Sequence, residues 1–329
     1  MSYEHLTTDE RNVIWRMKLL GKSHGEIGRC LGRSSGTIGR ELRRNGESDG
    51  RYFPATAQAL TNARRRAQLR RPRTGDASLM AHVEAKLQER WSPEQIAGRL
   101  AVSPPTALAG KTISHTTIYR WIWSCRQRSA RLRAFLRVAH KKRRKPYGKP
   151  SQRGQIPNRV SIEQRPAVVA DRTRLGDWEG DTIVGKGRRG YVVTNVDRTS
   201  RYLVARKVEK ATAASVTAAL YATMRRLPAD RRRTQTFDNG REFAGHQRIA
   251  RLLDMAVYFA HPYSSWERGT NENTNGLLRQ YLPKTSDLTE LTNWRLESTI
   301  RQLNNRPRKC LNYRTPAEVF WKRPLALRM

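Results

Sequence analysis

The rhythm of apolar positions changes near the middle of the chain. Through residues 7–45 they recur at helical spacing. Thr7-Thr8-Asp9-Glu10 predicts a capped start with acids in the first turn, followed by Val13, Ile14, Met17 and Leu20, and Gly21 closes that helix. Ser23 caps a second helix in which Ile27 and Leu31 are four apart, and Gly32 supplies a tight turn. Ser34 or Ser35 opens a third helix, with Ile38 and Leu42 facing the same core. Three short helices around a glycine turn predict a helix-turn-helix. A looser second copy follows. Trp91-Ser92-Pro93-Glu94 is a cap-plus-proline start leading to Ile96 and Leu100. After a Pro/Ala-rich loop over 102–110, Ser114-His115-Thr116-Thr117 opens a helix carrying Ile118, Trp121 and Ile122.

From about residue 171 the period shortens to that of strands. Asp177–Gly185 reads as one strand, and 190–196 and 201–208 flank Asp197-Arg198-Thr199-Ser200 as a hairpin. An Ala-rich helix over 211–227 precedes a strand that begins at Thr234 and ends in Asp238-Asn239-Gly240-Arg241-Glu242-Phe243. A short helix at 245–254, a strand at 256–260 and a long helix from Trp266 or Gly269 to Tyr281 complete the series. Three antiparallel strands, then helix, strand, helix, strand, helix, is the order of a ribonuclease H-like fold. The expected layout is multidomain. A helix-turn-helix domain spans 1–70 and a second, helix-turn-helix-like all-α domain 71–140. A basic linker at 141–165 then leads to an α/β catalytic domain with a helical tail at 166–329.

Charge decides what such a chain meets. It has 65 Lys+Arg against 28 Asp+Glu, a formal net charge of +37 in 329 residues. Residues 1–160 hold 34 basic and 11 acidic side chains, net +23, against 31 and 17, net +14, beyond. Between Glu94 and Glu163 lie 68 residues with 16 Lys/Arg and no acid. A run so one-sided repels itself unless phosphate neutralises it, so a nucleic acid is the expected partner, and the helix-turn-helix pattern points to double-stranded DNA. No apolar run is long enough for a membrane span, and the N-terminus lacks the pattern of a secretory signal. Cys30, Cys125 and Cys310 fit neither a disulfide framework nor a zinc site. These readings favour a cytoplasmic, nucleoid-associated protein without a small-molecule cofactor.

The candidate DNA contacts follow from polar side chains on the last helix read in each module. They are Ser35, Thr37, Arg40, Arg43 and Arg44, then Ser114, Thr116, Thr117 and Arg120, with Lys141, Lys142, Arg143 and Arg144 in the basic run. The candidate chemistry lies in acids. Asp181 is on the first strand, Asp238 ends the fourth, and Glu272 is in the helix after the fifth. Two Mg²⁺ ions about 3.5–4 Å apart need hard carboxylate ligands, one ion activating the attacking oxygen and the other stabilising the leaving one. Taken singly these acids are ambiguous: Asp177, Glu179 and Asp181 share one strand face, and Asp238 suits an ordinary turn.

Residues 268–284, RGTNENTNGLLRQYLPK, resemble the signature of the IS-thirty family of bacterial insertion-sequence transposases. Trp178-Glu179-Gly180-Asp181, Phe237-Asp238-Asn239-Gly240, residues 311–318 and the N-terminal module are similar to that family too. The resemblance implies an integrase-type core with Asp181, Asp238 and Glu272 as its DDE triad and Mg²⁺ or Mn²⁺ as cofactor, two ions per site. It fits the 33 residues between Asp238 and Glu272. It further implies binding of terminal inverted repeats, cleavage that exposes a 3′-OH, attack of that hydroxyl on a phosphodiester, and a homo-oligomer on DNA. Asn273, Asn275, Arg279 and Lys284 become candidate DNA contacts near the third acid. A DNA-binding regulator that has lost activity is the alternative.

Overall fold

The computed structural model describes residues 5–47, 49–68, 73–137, 156–262 and 264–322. The chain divides into two compact units, Met1–Asp76 and Ala77–Met329. Among the described residues no helix is long and apolar enough to cross a membrane.

The first unit holds α1 (Thr8–Leu19), α2 (His24–Leu31), α3 (Ser35–Asn45) and α4 (Pro54–Gln68). Thr7 with Glu10 and Ser23 with Glu26 form reciprocal capping boxes, which fix where α1 and α2 begin. Gly32 adopts the left-handed conformation that the turn demands (φ 63°), and Ser34 caps α3. Ile14, Ile27 and Ile38 are wholly buried at the centre with Tyr52 and Ala57. The apolar pattern of α1 misleads in one respect. Leu19 and Leu20 are 70% and 75% exposed, while Arg11 is buried and paired with Glu41 at 2.7 Å. A charged residue enters this small core only because its guanidinium also donates to the Leu6 carbonyl and Gln58.

The second unit opens with α5 (Ala77–Gln88), α6 (Pro93–Val102), α7 (His115–Trp123) and α8 (Arg126–Leu132). Leu79, Val83, Leu87, Ile96, Leu100, Ile118 and Ile122 form their core. The α/β part follows α9 (Val168–Asp171). It comprises β1 (Asp177–Val184), β2 (Tyr191–Asp197), β3 (Leu203–Val208), α10 (Ala213–Met224), β4 (Thr234–Phe237), α11 (His246–Leu253), β5 (Ala256–Phe259), α12 (Gly269–Leu278), α13 (Asn293–Asn304) and α14 (Pro316–Phe320). The sheet order is β3-β2-β1-β4-β5, antiparallel across the first three strands and parallel across the last three. That is the ribonuclease H-like arrangement expected from the element order.

One sheet face packs Trp178, Val193, Phe237 and Phe259 against α10 and α11. The other packs Ile183, Val192, Val196 and Leu203 against Leu277 and Leu278 of α12 and Leu296 and Leu303 of α13. Gly180 is required where β1 meets β4: a Cβ there would come within 2.4 Å of the Phe237 ring.

The second helical module and the α/β part meet along a polar seam. Arg99 of α6 pairs with Glu318 of α14 at 2.6 Å, both largely buried. Gln95 donates to the Pro307 carbonyl and accepts from Arg306, itself only 1% exposed. Gly98 lies against the Tyr313 ring so closely that no side chain fits between them.

Candidate active site

Parallel pairing of β1 with β4 runs Asp177↔Thr234, Trp178↔Gln235, Glu179↔Thr236. Two further residues in the same register set Asp181 beside Asp238, just past the last paired rung. Open α/β sheets bind ligands at such carboxyl ends of parallel strands.

The three acids that share a face of β1 have different fates. Asp177 is 1% exposed, salt-bridged to Arg174 at 2.9 Å, and accepts from Thr234 Oγ1. Glu179 is fully buried, 2.5 Å from Arg198 Nη1, and accepts the Asn271 backbone N–H at 2.8 Å. Asp181 alone keeps an opening to solvent, with a side chain 28% exposed. Burial pushes its carboxyl up to about 6; nearby Arg268 opposes that rise and Asp238 adds to it. Two of the three strand acids are thus committed to holding the fold. The third faces another carboxylate.

Helix α12 is registered against β1 by two asparagines one turn apart. Asn271 Nδ2 donates to the Glu179 carbonyl, and Asn275 Nδ2 donates to Asp181 Oδ2, both at 2.9 Å. Four helical residues rise about 6 Å and two strand residues about 6.7 Å, so the two ladders match. Thr194 Oγ1 lies 3.2 Å from Asn275 Oδ1, on the amide's other end. Arg279 donates to the Val184 carbonyl at 2.8 Å and so ties the end of α12 to the end of β1. Asn275 and Arg279, expected from the sequence to meet DNA, therefore have intramolecular partners. Asn273 and Lys284 are exposed, and Asn273 accepts from Arg137 at 3.0 Å.

Glu272 is exposed on the first turn of α12. It lies four residues after Arg268 and three before Asn275, spacings that share a helical face, and both of those neighbours touch Asp181. Among the described residues no three His, Cys, Asp or Glu side chains are disposed as they stand to hold a metal ion. What lies between the aspartates is a cation from the chain itself. Arg268 reaches Asp181 at 3.8 Å and Asp238 at 3.2 Å, and donates to the Gly180 carbonyl. A recess where two half-open carboxylates share one positive charge suits a divalent cation with hard oxygen ligands.

Two residues of this recess were not singled out by spacing. Arg268 stands within the signature, but nothing in the sequence says that it would bridge the two acids. Glu242 accepts from Thr182 Oγ1 at 3.3 Å, and its carboxyl lies beside that of Asp238 across Gly240. The available signal was the turn Asp-Asn-Gly-Arg-Glu-Phe, which brings a second acid back four residues after the first.

The predicted DNA-reading faces are exposed as a set in both modules. On α3, Ser35, Arg40, Arg43 and Arg44 are exposed and Thr37 is partly so; on α7, the cap Ser114 and Thr116 and Arg120 are exposed and Thr117 is partly so. The two helices begin alike: Ser34 Oγ and Thr37 Oγ1 are 2.9 Å apart, Ser114 Oγ and Thr117 Oγ1 2.8 Å. Lys141, Lys142, Arg143 and Arg144, like most of the predicted linker, lie outside the described residues. A cavity of about 400 Å³ at the polar seam is lined by Trp91, Arg99, Thr315 and Glu318 and by no residue of the acidic recess.

Residues 2–45 match the family model of a helix-turn-helix domain, and residues 171–265 that of an integrase core domain. The transposase for insertion sequence element IS4351 of Bacteroides fragilis is 39% identical, over 96% of this chain and 95% of its own. The transposase for element IS1086 of Cupriavidus metallidurans is 41% identical, over 82% and 80%. Transposase InsI for element IS30A of Escherichia coli is 37% identical, over 82% and 72%. Among solved structures, the catalytic core domain of BIV integrase aligns with 45% of this chain and 94% of its own, at 19% identity and a TM-score of 0.37. The chain belongs to the IS-thirty family of insertion-sequence transposases: a DNA transposase with an N-terminal helix-turn-helix and a divalent-metal-dependent, integrase-type polynucleotidyl transferase core.

Proposed function

We propose that this transposase binds the terminal inverted repeats of its own element and that Asp181, Asp238 and Glu272 form its cutting and joining centre. The observation that carries this reading is the register of β1 and β4, which sets Asp181 beside Asp238 with one cation between them. The three carboxylates would hold Mg²⁺ or Mn²⁺, two ions per site, whose chemistry is to activate the attacking oxygen and stabilise the leaving one.

The chain's own groups have separate tasks. Asn275 fixes the orientation of the Asp181 carboxylate, and the buried Glu179–Arg198 pair with Asn271 holds α12, and with it Glu272, in register. Arg268 supplies positive charge next to the acids, where a phosphodiester brings negative charge. The exposed faces of α3 and α7 with Asn273, Lys284 and the basic run track phosphates and read bases. No side chain here is needed as a nucleophile, because first water and then the freed 3′-OH fill that role. Two ends must be joined, so the working complex is a homo-oligomer on DNA, acting in the cytoplasm on nucleoid and element DNA.

The test uses labelled repeat-end DNA. Asp181→Asn, Asp238→Asn and Glu272→Gln are each expected to lose Mg²⁺- or Mn²⁺-dependent nicking and joining by at least about a thousandfold. Gel shifts of the same DNA should be unchanged. Metal-dependent cleavage retained by any of the three would remove that residue from the centre.

A further inference from the structure

The turn that delivers Arg268 to the two acids also carries Trp266, whose ring is 74% exposed. Tryptophan is highly buried on average, and a bare indole sacrifices a large apolar surface to water. The two residues after Trp266 are held by other segments. Glu267, the next residue, accepts the His261 backbone N–H at 2.8 Å and pairs with His261 Nδ1 at 2.7 Å. Its carbonyl accepts from Arg198, and Arg268 is fixed by both aspartates. Glu267 and Arg268 are thus each tied to other segments, while Trp266 itself stays exposed. Two residues from Arg268, its Cα lies within about 7 Å of that of the bridging arginine. The turn that carries this residue therefore adjoins the recess.

The recess itself sets a problem for DNA. Asp181 and Asp238 have side chains only 28% and 38% exposed, where the pairing of the interior strands β1 and β4 ends. Bending a stiff, fully paired duplex to follow such a recess costs deformation energy. Unpairing the adjacent base lets the strand dip toward the acids, and the freed base then needs a surface to replace its lost stacking. An exposed indole offers that surface without regard to base identity. We propose that Trp266 stacks on a nucleobase unpaired beside the scissile phosphate. This role rests on the acids' assignment as the cutting centre.

The experiment compares wild type, Trp266→Ala, Trp266→Phe and Trp294→Ala. Trp294 is equally exposed, on α13, and contacts none of the acids, so its variant serves as the control. Each protein is given two duplexes bearing the element's terminal repeat, one fully paired and one mismatched at the base next to the scissile phosphate. Trp266→Ala is expected to cut the paired end on the order of tenfold to a hundredfold more slowly than wild type. It should recover to within about threefold of wild type on the mismatched end. Trp266→Phe should retain most of the rate on both, and Trp294→Ala all of it. Equal slowing of Trp266→Ala on both ends, or no slowing on either, overturns the stacking role while leaving the cutting centre in place. Failure of the wild type to cut either end overturns the centre and this role together.

Discussion

The two helical modules are built on one local plan and put to different use. In each, a capping box opens the first helix of the pair: Ser23 with Glu26 in one, Ser92 with Gln95 in the other. In each, a serine caps the second helix and bonds to a threonine three residues on. A wholly buried isoleucine follows, then an exposed arginine: Ser34, Thr37, Ile38, Arg40 and Ser114, Thr117, Ile118, Arg120. The difference lies in what the first helix of the pair touches. In the N-terminal unit, α2 turns to α3 through Gly32 and Arg33, and Arg33 pairs with Glu10 of α1 within the unit. In α6, Gln95 and Arg99 face outward to Pro307, Arg306 and Glu318. The same local plan stands in a unit of its own in one place and is part of the catalytic body in the other. Tertiary partners, not local sequence, decide which.

The largest effect should come from breaking the seam. Arg99→Ala leaves Glu318 largely buried and without its cation, and should cost the second unit about 3 kcal/mol in chemical denaturation. The pair also sets a pH dependence. Burial works against ionisation of Glu318, yet Arg99 and the Thr315 N–H hold its carboxyl below the usual carboxylate range. A depressed carboxyl contributes stability above the unfolded pKa and loses it as pH falls through the folded one. The seam should therefore be intact at neutral pH and weaken in acid below the ordinary glutamate range, and Glu318→Gln should remove that acid-dependent part. An unchanged acid profile in Glu318→Gln would mean that the seam is held by Gln95 and Arg306 alone.

A smaller effect tests whether both modules read DNA. Arg40→Ala and Arg120→Ala should each weaken repeat binding by about 1–3 kcal/mol if they reach base edges. If they reach only phosphates, each should lower the slope of log affinity against log salt by about one. A loss confined to Arg40→Ala would make the second module an architectural spacer. The smallest effect tests the shared plan. Ser34→Ala and Ser114→Ala each remove a cap worth about 1 kcal/mol. Thermal melting should report similar losses from the two if the local code is the same, and a much smaller loss at Ser114 would show that the seam masks its module's helix ends.

Much of this was legible before any coordinates. The caps at Thr7, Ser23, Ser34, Ser92 and Ser114 act over three residues and place their helices directly. The hairpin around Asp197–Ser200 closes where its polar residues suggested, with Asp197 accepting from the backbone N–H and hydroxyl of Ser200. The order of strands and helices carried the sheet topology. The acids were legible as candidates from their places on the first strand, at the end of the fourth and on the helix after the fifth. Which acid of the β1 face stays open to solvent was not. Asp177, Glu179 and Asp181 alternate identically, and only Arg174, Thr234, Arg198 and Asn271 tell them apart. Three of those partners are 19 to 92 residues away in sequence.

The sequence by itself determined the elements, their order, and the excess of positive charge that calls for DNA. Each of these depends on residues within a few positions of one another, or on a sum over the chain. Tertiary structure alone decided that Asp181 faces Asp238, that Arg268 lies between them, that Asn275 holds an acid, and that one helical module is fastened to the catalytic body. Those outcomes depend on strand register and on burial. A side chain becomes a ligand, a clamp or a surface only when distant segments remove water from some of its neighbours and leave it to others.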